Sequence, residues 1–181
     1  MSDVDTESTT PFDIPHARDF FALIDPTTEQ FQFQQIHDKN DRAAAPVHLS
    51  IDDLEQLEAK AENGFGTFFT VNYVPQGQRR TAGNVEMVRA IYADDDVRRP
   101  APRTDWAIVP SITVESSPGK YHYYWLVDGE MDARTGEAIK RSIARDYGTD
   151  WAGVAGPNRV LRVPGFPHQK DKPFISRYMG G

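Results

Sequence analysis

The chain has 181 residues, 39% of them hydrophobic, with no cysteine and a formal net charge of −7. That length supports one globular domain with a real core, and the missing cysteines exclude disulfides and any Cys-ligated zinc or iron–sulfur site. No apolar run approaches membrane-spanning length and the start, MSDVDTESTTPFD, is acidic rather than signal-like, so a soluble cytoplasmic protein with no membrane partner is expected.

In chain order, residues 1–13, rich in Ser, Thr and acids, read as a disordered tail. Phe20 to Ile24 and Phe31 to Ile36 flank a DPTTE turn and read as a hairpin. Ser50 with Asp53 makes a capping-box-like start for a helix that turns Ile51, Leu54, Leu57 and Ala61 inward and ends at Gly64. Thr67 to Val74 is a strand, followed by the polar loop VPQGQRRTAGN, and Val88 to Ala93 is another strand. Ser111 to Glu115 and Tyr121 to Val127 read as a hairpin around Ser116-Ser117-Pro118-Gly119. Asp132 caps a helix carrying Ile139, Ile143 and Tyr147, which Gly148 stops. Arg159 to Val163 is a short strand before Pro164-Gly165. This order gives an α/β (α+β) fold with a mixed sheet, divided into a smaller N-terminal αβ lobe (14–85) and a catalytic lobe (86–175).

Charge is unevenly distributed. Residues 1–96 carry 7 Lys and Arg against 18 Asp and Glu, whereas residues 97–181 carry 13 against 9. The asymmetry points to a polyanion-facing second half that includes Arg98, Arg99, Arg103, Lys120, Arg159, Arg162 and Lys170, against the plain alternative of a solvated charged surface.

The strand IYADDDV carries the strongest chemical signal. Alternate strand residues share a face, so Asp94 and Asp96 project together and Asp95 points the other way. Two adjacent carboxylates repel unless a cation lies between them, and oxygen donors favour Mg²⁺ or Mn²⁺. A solvated acidic turn is the simpler reading of a lone DxD. In the second strand, SSPGKYHYYW, His122 and Tyr124 share one face while Tyr121, Tyr123 and Trp125 share the other, which leaves His122 outward if the aromatics fill the core. The preceding Gly-Lys turn suits a phosphate, held by backbone N–H groups and the Lys120 ammonium.

Together with GTDWAGVAGPNRVLRVPGFPHQK, these segments resemble the archaeo-eukaryotic primase superfamily, in particular its RepB-type and phage primase-polymerase catalytic domains. The resemblance covers roughly residues 65–172. It implies an RRM-like catalytic lobe in which Asp94 and Asp96 form the first acidic motif, His122 the histidine motif and Asp150 the third acid. Asp94, Asp96 and Asp150 would bind two Mg²⁺ or Mn²⁺ ions, with Asp146 a rival for the third position. Lys120, His122, Arg162, Lys170 and Ser117 would bind the incoming nucleotide. The implied partners are a single-stranded DNA template, dNTP or NTP substrates and a fused or recruited helicase. The sequence departs from the pattern where Lys120 replaces the motif serine and His168 replaces an Asn before the final Lys.

The chemistry agrees with the residue types. Nucleotidyl transfer uses two cations, one activating the 3′-hydroxyl and one neutralising pyrophosphate. Arg159 and Arg162 lie on opposite faces of one strand, so only one can face the site. The basic run 98–103 is placed to follow the template backbone. A metal-dependent nuclease could use the same acids, and a catalytically inactive RRM-like single-strand binder would expose Tyr123 or Trp125. A HUH-type endonuclease needs two metal histidines, and Tyr121-His122-Tyr123 offers one.

Overall fold

Residues 12–180 are described by the computed structural model. The expected tail therefore lies outside the described residues except for Phe12 and Asp13, and both of these are held: Phe12 packs on Phe166, and the Asp13 N–H donates to the Gly165 carbonyl at 2.8 Å. Asp13 caps helix α1 (Ile14–Ile24), accepting from the His16 N–H. This helix replaces the first strand of the expected hairpin. Ile14, Ala17, Phe20, Phe21 and Ile24 recur at helical spacing and bury one apolar stripe, and Pro15 is tolerated in the first turn.

Two four-stranded antiparallel sheets sandwich this stripe. Strand β1 (Gln30–His37) pairs with β2 (Val47–Ser50) on one side and β3 (Phe65–Thr70) on the other. Between β2 and β3, Ser50 caps a 3₁₀ turn over Ile51–Leu57 that continues into α2 (Glu58–Glu62), burying Leu54, Leu57 and Ala61 as expected. After a polar loop, β4 (Ala90–Asp95) forms the edge of the second sheet. Beside it lies the expected hairpin, β5 (Ile112–Ser117) and β6 (Lys120–Leu126). Phe20 and Phe21 contact Phe31, Phe33 and Phe69 of the first sheet, and Phe20 also meets Tyr124 of the second. The sheets thus share one core.

Helix α3 (Ala133–Tyr147) covers the opposite face of the second sheet, capped by Asp132 and ended by Gly148 at φ +68°. Its inward face is Gly136, Lys140 and Ala144. The apolar stripe Ile139, Ile143 and Tyr147 sits to one side: Ile139 is exposed, while Ile143 and Tyr147 pack at the edge of a small cluster with Trp106, Tyr121 and Tyr123.

A single turn, α4 (Trp151–Val154), leads into β7 (Val160–Arg162), which returns to the first sheet beside β3. Pro164-Gly165 then bends the chain where the Asp13 backbone passes, and a side chain at Gly165 would run into it. Strands β8 (Pro167–His168) and β9 (Phe174–Ile175) form a small ribbon, and β10 (Arg177–Gly180) closes the second sheet against β5. None of the described helices is long and apolar enough to cross a membrane.

Candidate active site

Strands β4 and β6 place the acidic residues opposite the histidine. In their register Asp94 faces His122, and Asp95 faces Tyr121. Asp95 is fully buried, accepts from the Arg99 Nε at 2.7 Å and lies 3.7 Å from the Arg103 Nε. Two of the arginines expected to follow a template are therefore committed to the fold, and Arg98 is the member of that run lining the cleft. Replacing Asp95 would take the 2.7 Å partner from Arg99 and leave Arg103 with Asp105 alone, so that carboxylate serves stability.

Asp94 and Asp96 project together into the cleft, where Asp150 joins them. One oxygen from each lies within 4.8 Å of the others. Asp150 gets there by a short backbone link: its N–H donates to the Asp94 carbonyl at 2.7 Å. Its carboxylate caps α4, accepting from the Ala152 and Gly153 N–H groups at 3.0 Å each. Gly153 is required here, since a Cβ would sit 2.7 Å from one Asp150 oxygen and 3.2 Å from an Asp94 oxygen. Asp146 stays on the outer surface of α3, paired with Arg145, and takes no part in the cluster.

The donor set fits a hard divalent cation. Asp94 Oδ1 is buried and has no hydrogen-bond partner. Burial, reinforced by Asp96 and Asp150, pushes the Asp94 carboxyl up to about 7. A carboxylate so placed gains from a cation what the protein alone does not give it. Because its pKa is raised in the fold, Asp94 contributes stability below the ordinary carboxylate range and loses it as pH rises through about 7. Cation binding requires the ionised form, so the apparent Mn²⁺ affinity is expected to climb as pH approaches 7 and then level. Addition of Mn²⁺ in weak buffer below pH 7 should release protons. A pH-independent affinity with no proton release would contradict this placement.

Basic residues line the same cleft as the acids. The cavity is about 710 Å³ and is lined by both sheets. Lys120 pairs with Asp96 at 3.1 Å, while Ser117, Lys170 and His168 line the same space. His122 is buried rather than outward-facing, because α1 and the first sheet cover that face of β6; its Nε2 lies 3.6 Å from Asp94 Oδ1. Burial, with Arg162 nearby, pulls His122 down to about 3, and the same two causes pull His168 down to about 4, so both imidazoles are neutral at neutral pH.

Arg162 faces this cleft from β7. Its guanidinium meets Asp38 at 2.6 and 3.4 Å and lies over the Phe68 ring, 4.6 Å from the centroid. Asp38 also accepts the Gln169 N–H at 2.7 Å. Arg159 lies outside the cleft and donates to the Ala155 carbonyl. Sequence reasoning passed over Asp38 and Phe68. The signal for Asp38 was Gly66, a glycine inside a strand: a side chain there would strike the Arg162 guanidinium and come within 2.7 Å of an Asp38 oxygen.

Comparison with known proteins identifies the family and the fold. Residues 71–178 match the family model of the RepB DNA-primase N-terminal domain. The fold is similar to the AEP domain of the cyanophage S-2L primase-polymerase, with a TM-score of 0.73 at 17% identity over 94% of this chain and 91% of that one. It is also similar to the catalytic domain of primase RepB′ solved in complex with initiator DNA, with a TM-score of 0.66 at 18% identity over 93% and 84% of the two chains. Against a longer RepB′ structure the TM-score is 0.61 at 18% identity, and this chain, 91% covered, spans 54% of that one. No curated protein sequence matches significantly.

Proposed function

The chain belongs to the RepB-type DNA-primase family and is a nucleotidyltransferase of the primase–polymerase kind, and on that premise we propose that it joins nucleotides on a single-stranded DNA template at the Asp94–Asp96–Asp150 cluster. The observation carrying this reading is three carboxylates within 4.8 Å of one another, at a cleft that Lys120, Arg162 and Lys170 also line. Cations held there, Mg²⁺ or Mn²⁺ and two in number, would activate the 3′-hydroxyl and neutralise the departing pyrophosphate.

The remaining roles fall to the side chains. Lys120 and Arg162 would take the triphosphate, Arg162 pre-aimed by Asp38 and by the Phe68 ring. His122, uncharged, would donate a hydrogen bond to a phosphate oxygen. Ser117 and Lys170 would hold the outer end of the nucleotide, and Arg98 the template backbone. A nuclease would use the acids and leave Lys120 and Arg162 without a substrate group. The biological setting proposed is cytoplasmic replication of a phage, plasmid or other mobile element, with a fused or recruited helicase opening the template.

The reading is tested by incubating the protein with a single-stranded template of defined sequence and labelled dNTPs or NTPs, with Mg²⁺ or Mn²⁺. Incorporation complementary to the template is expected, lost in Asp150→Asn and nearly unchanged in Asp146→Asn. Template cleavage without incorporation would replace the reading with the nuclease one, and the reverse pattern for the two aspartates would overturn the third ligand.

A further inference from the structure

Lys140 is the least expected residue of the fold. It lies mid-helix on the inward face of α3, its side chain 2% exposed. An ammonium there is costly unless its protons all find acceptors. Its Nζ meets the Val154 carbonyl at 2.7 Å, the Gly156 carbonyl at 3.0 Å, the Tyr92 hydroxyl at 3.0 Å and the Glu137 carboxylate at 2.5 Å. Glu137 reaches the same loop with its other oxygen, accepting the Gly156 N–H at 2.7 Å. Gly156 adopts φ +98°, and Tyr92 also donates to its carbonyl at 3.1 Å.

These contacts converge on one short element. The two carbonyls bound by Lys140 lie at and just beyond the C-terminal end of α4, where a cation complements the helix dipole. The other end of α4 is capped by Asp150. Four residues separate the caps, a span of about 6 Å at 1.5 Å per residue. A turn that short transmits displacement of one end to the other. α3 itself packs on β4 and the residue leading into it, with Gly136 facing Ile91 and Val88. The clamp is thereby referenced to the strand that carries Asp94.

We propose that Lys140 and Glu137 are positioning residues for the third carboxylate: they fix the 154–156 loop, and through α4 they hold Asp150 against Asp94. This rests on the reading of Asp94, Asp96 and Asp150 as a cation site. Losing a group that orients a metal ligand typically weakens metal binding by roughly ten- to a hundredfold, and Lys140→Met and Glu137→Gln should each show a loss in that range.

The test is direct Mn²⁺ binding, by electron paramagnetic resonance without substrate, on wild type, Asp94→Ala, Asp150→Asn, Lys140→Met, Glu137→Gln and the Lys140→Met/Asp150→Asn double variant. Wild type should bind, both single aspartate variants should bind weakly, and the two clamp variants should follow Asp150→Asn. The double variant should be no weaker than Asp150→Asn alone, since both act through one ligand. Wild-type binding unaffected by Asp94→Ala would remove the site itself. Binding weakened in the aspartate variants but normal in a folded Lys140→Met would leave the site and overturn the clamp. Should Lys140→Met not fold, Glu137→Gln decides alone: normal Mn²⁺ affinity there overturns the proposal.

Discussion

Asp94→Ala is expected to reduce templated incorporation by roughly a thousandfold or more while the protein stays folded. A cation at such a centre supplies several kcal/mol of transition-state stabilisation, and about 4 kcal/mol corresponds to that factor. Asp94 accepts no hydrogen bond at its buried Oδ1, so its removal leaves no donor stranded. Above pH 7 the variant should melt at the same temperature as wild type or slightly higher, because an ionised carboxylate held close to Asp96 and Asp150 has been taken away. Asp95→Asn should do the opposite, lowering the melting temperature through its effect on Arg99 and Arg103. Primer extension and thermal denaturation on both variants check this. An active Asp94→Ala would contradict the assignment of the site.

The second large effect is expected at Asp38. Its carboxylate is the partner of the buried Arg162 guanidinium, with side chains 2% and 9% exposed respectively. Removing one member of such a pair typically costs about 3–5 kcal/mol, because the other charge stays buried. For a domain this size that is a fall in melting temperature on the order of 10 °C. Asp38→Ala should also raise the nucleotide KM, since Arg162 would lose its aim toward the cleft. The Asp38→Ala/Arg162→Met pair should regain most of the stability and none of the nucleotide affinity. An Asp38→Ala protein with unchanged melting temperature would mean that the pair contributes nothing net.

The acidic centre was legible because its signals are local. Period-2 alternation separated Asp94 and Asp96 from Asp95, while Asp150 was reached through the family resemblance, set apart from Asp146 by the Gly148 end of α3. The fold class and the β5–β6 hairpin followed from strand patterning and a Pro-Gly turn. Helix α1 was missed because its aromatic pair looked like strand. Its helical period appears only when Ile14 and Ala17 are counted with Phe20 and Ile24. What stayed hidden depends on contacts far apart in sequence. His122 is covered by elements from the other sheet, Asp38 meets Arg162 across 124 positions, and Lys140 reads as a surface lysine until α4 folds over it. A charge count over residues 97–181 likewise could not separate Arg98, which lines the cleft, from Arg99 and Arg103, which neutralise Asp95.

The most direct measurement is a crystal structure of the protein with Mn²⁺ and a non-hydrolysable nucleoside triphosphate, read by anomalous scattering at the manganese edge. The expected result is manganese density within reach of Asp94, Asp96 and Asp150, with the triphosphate against Lys120 and Arg162. Manganese located elsewhere, or a triphosphate bound away from those two residues, would contradict the account.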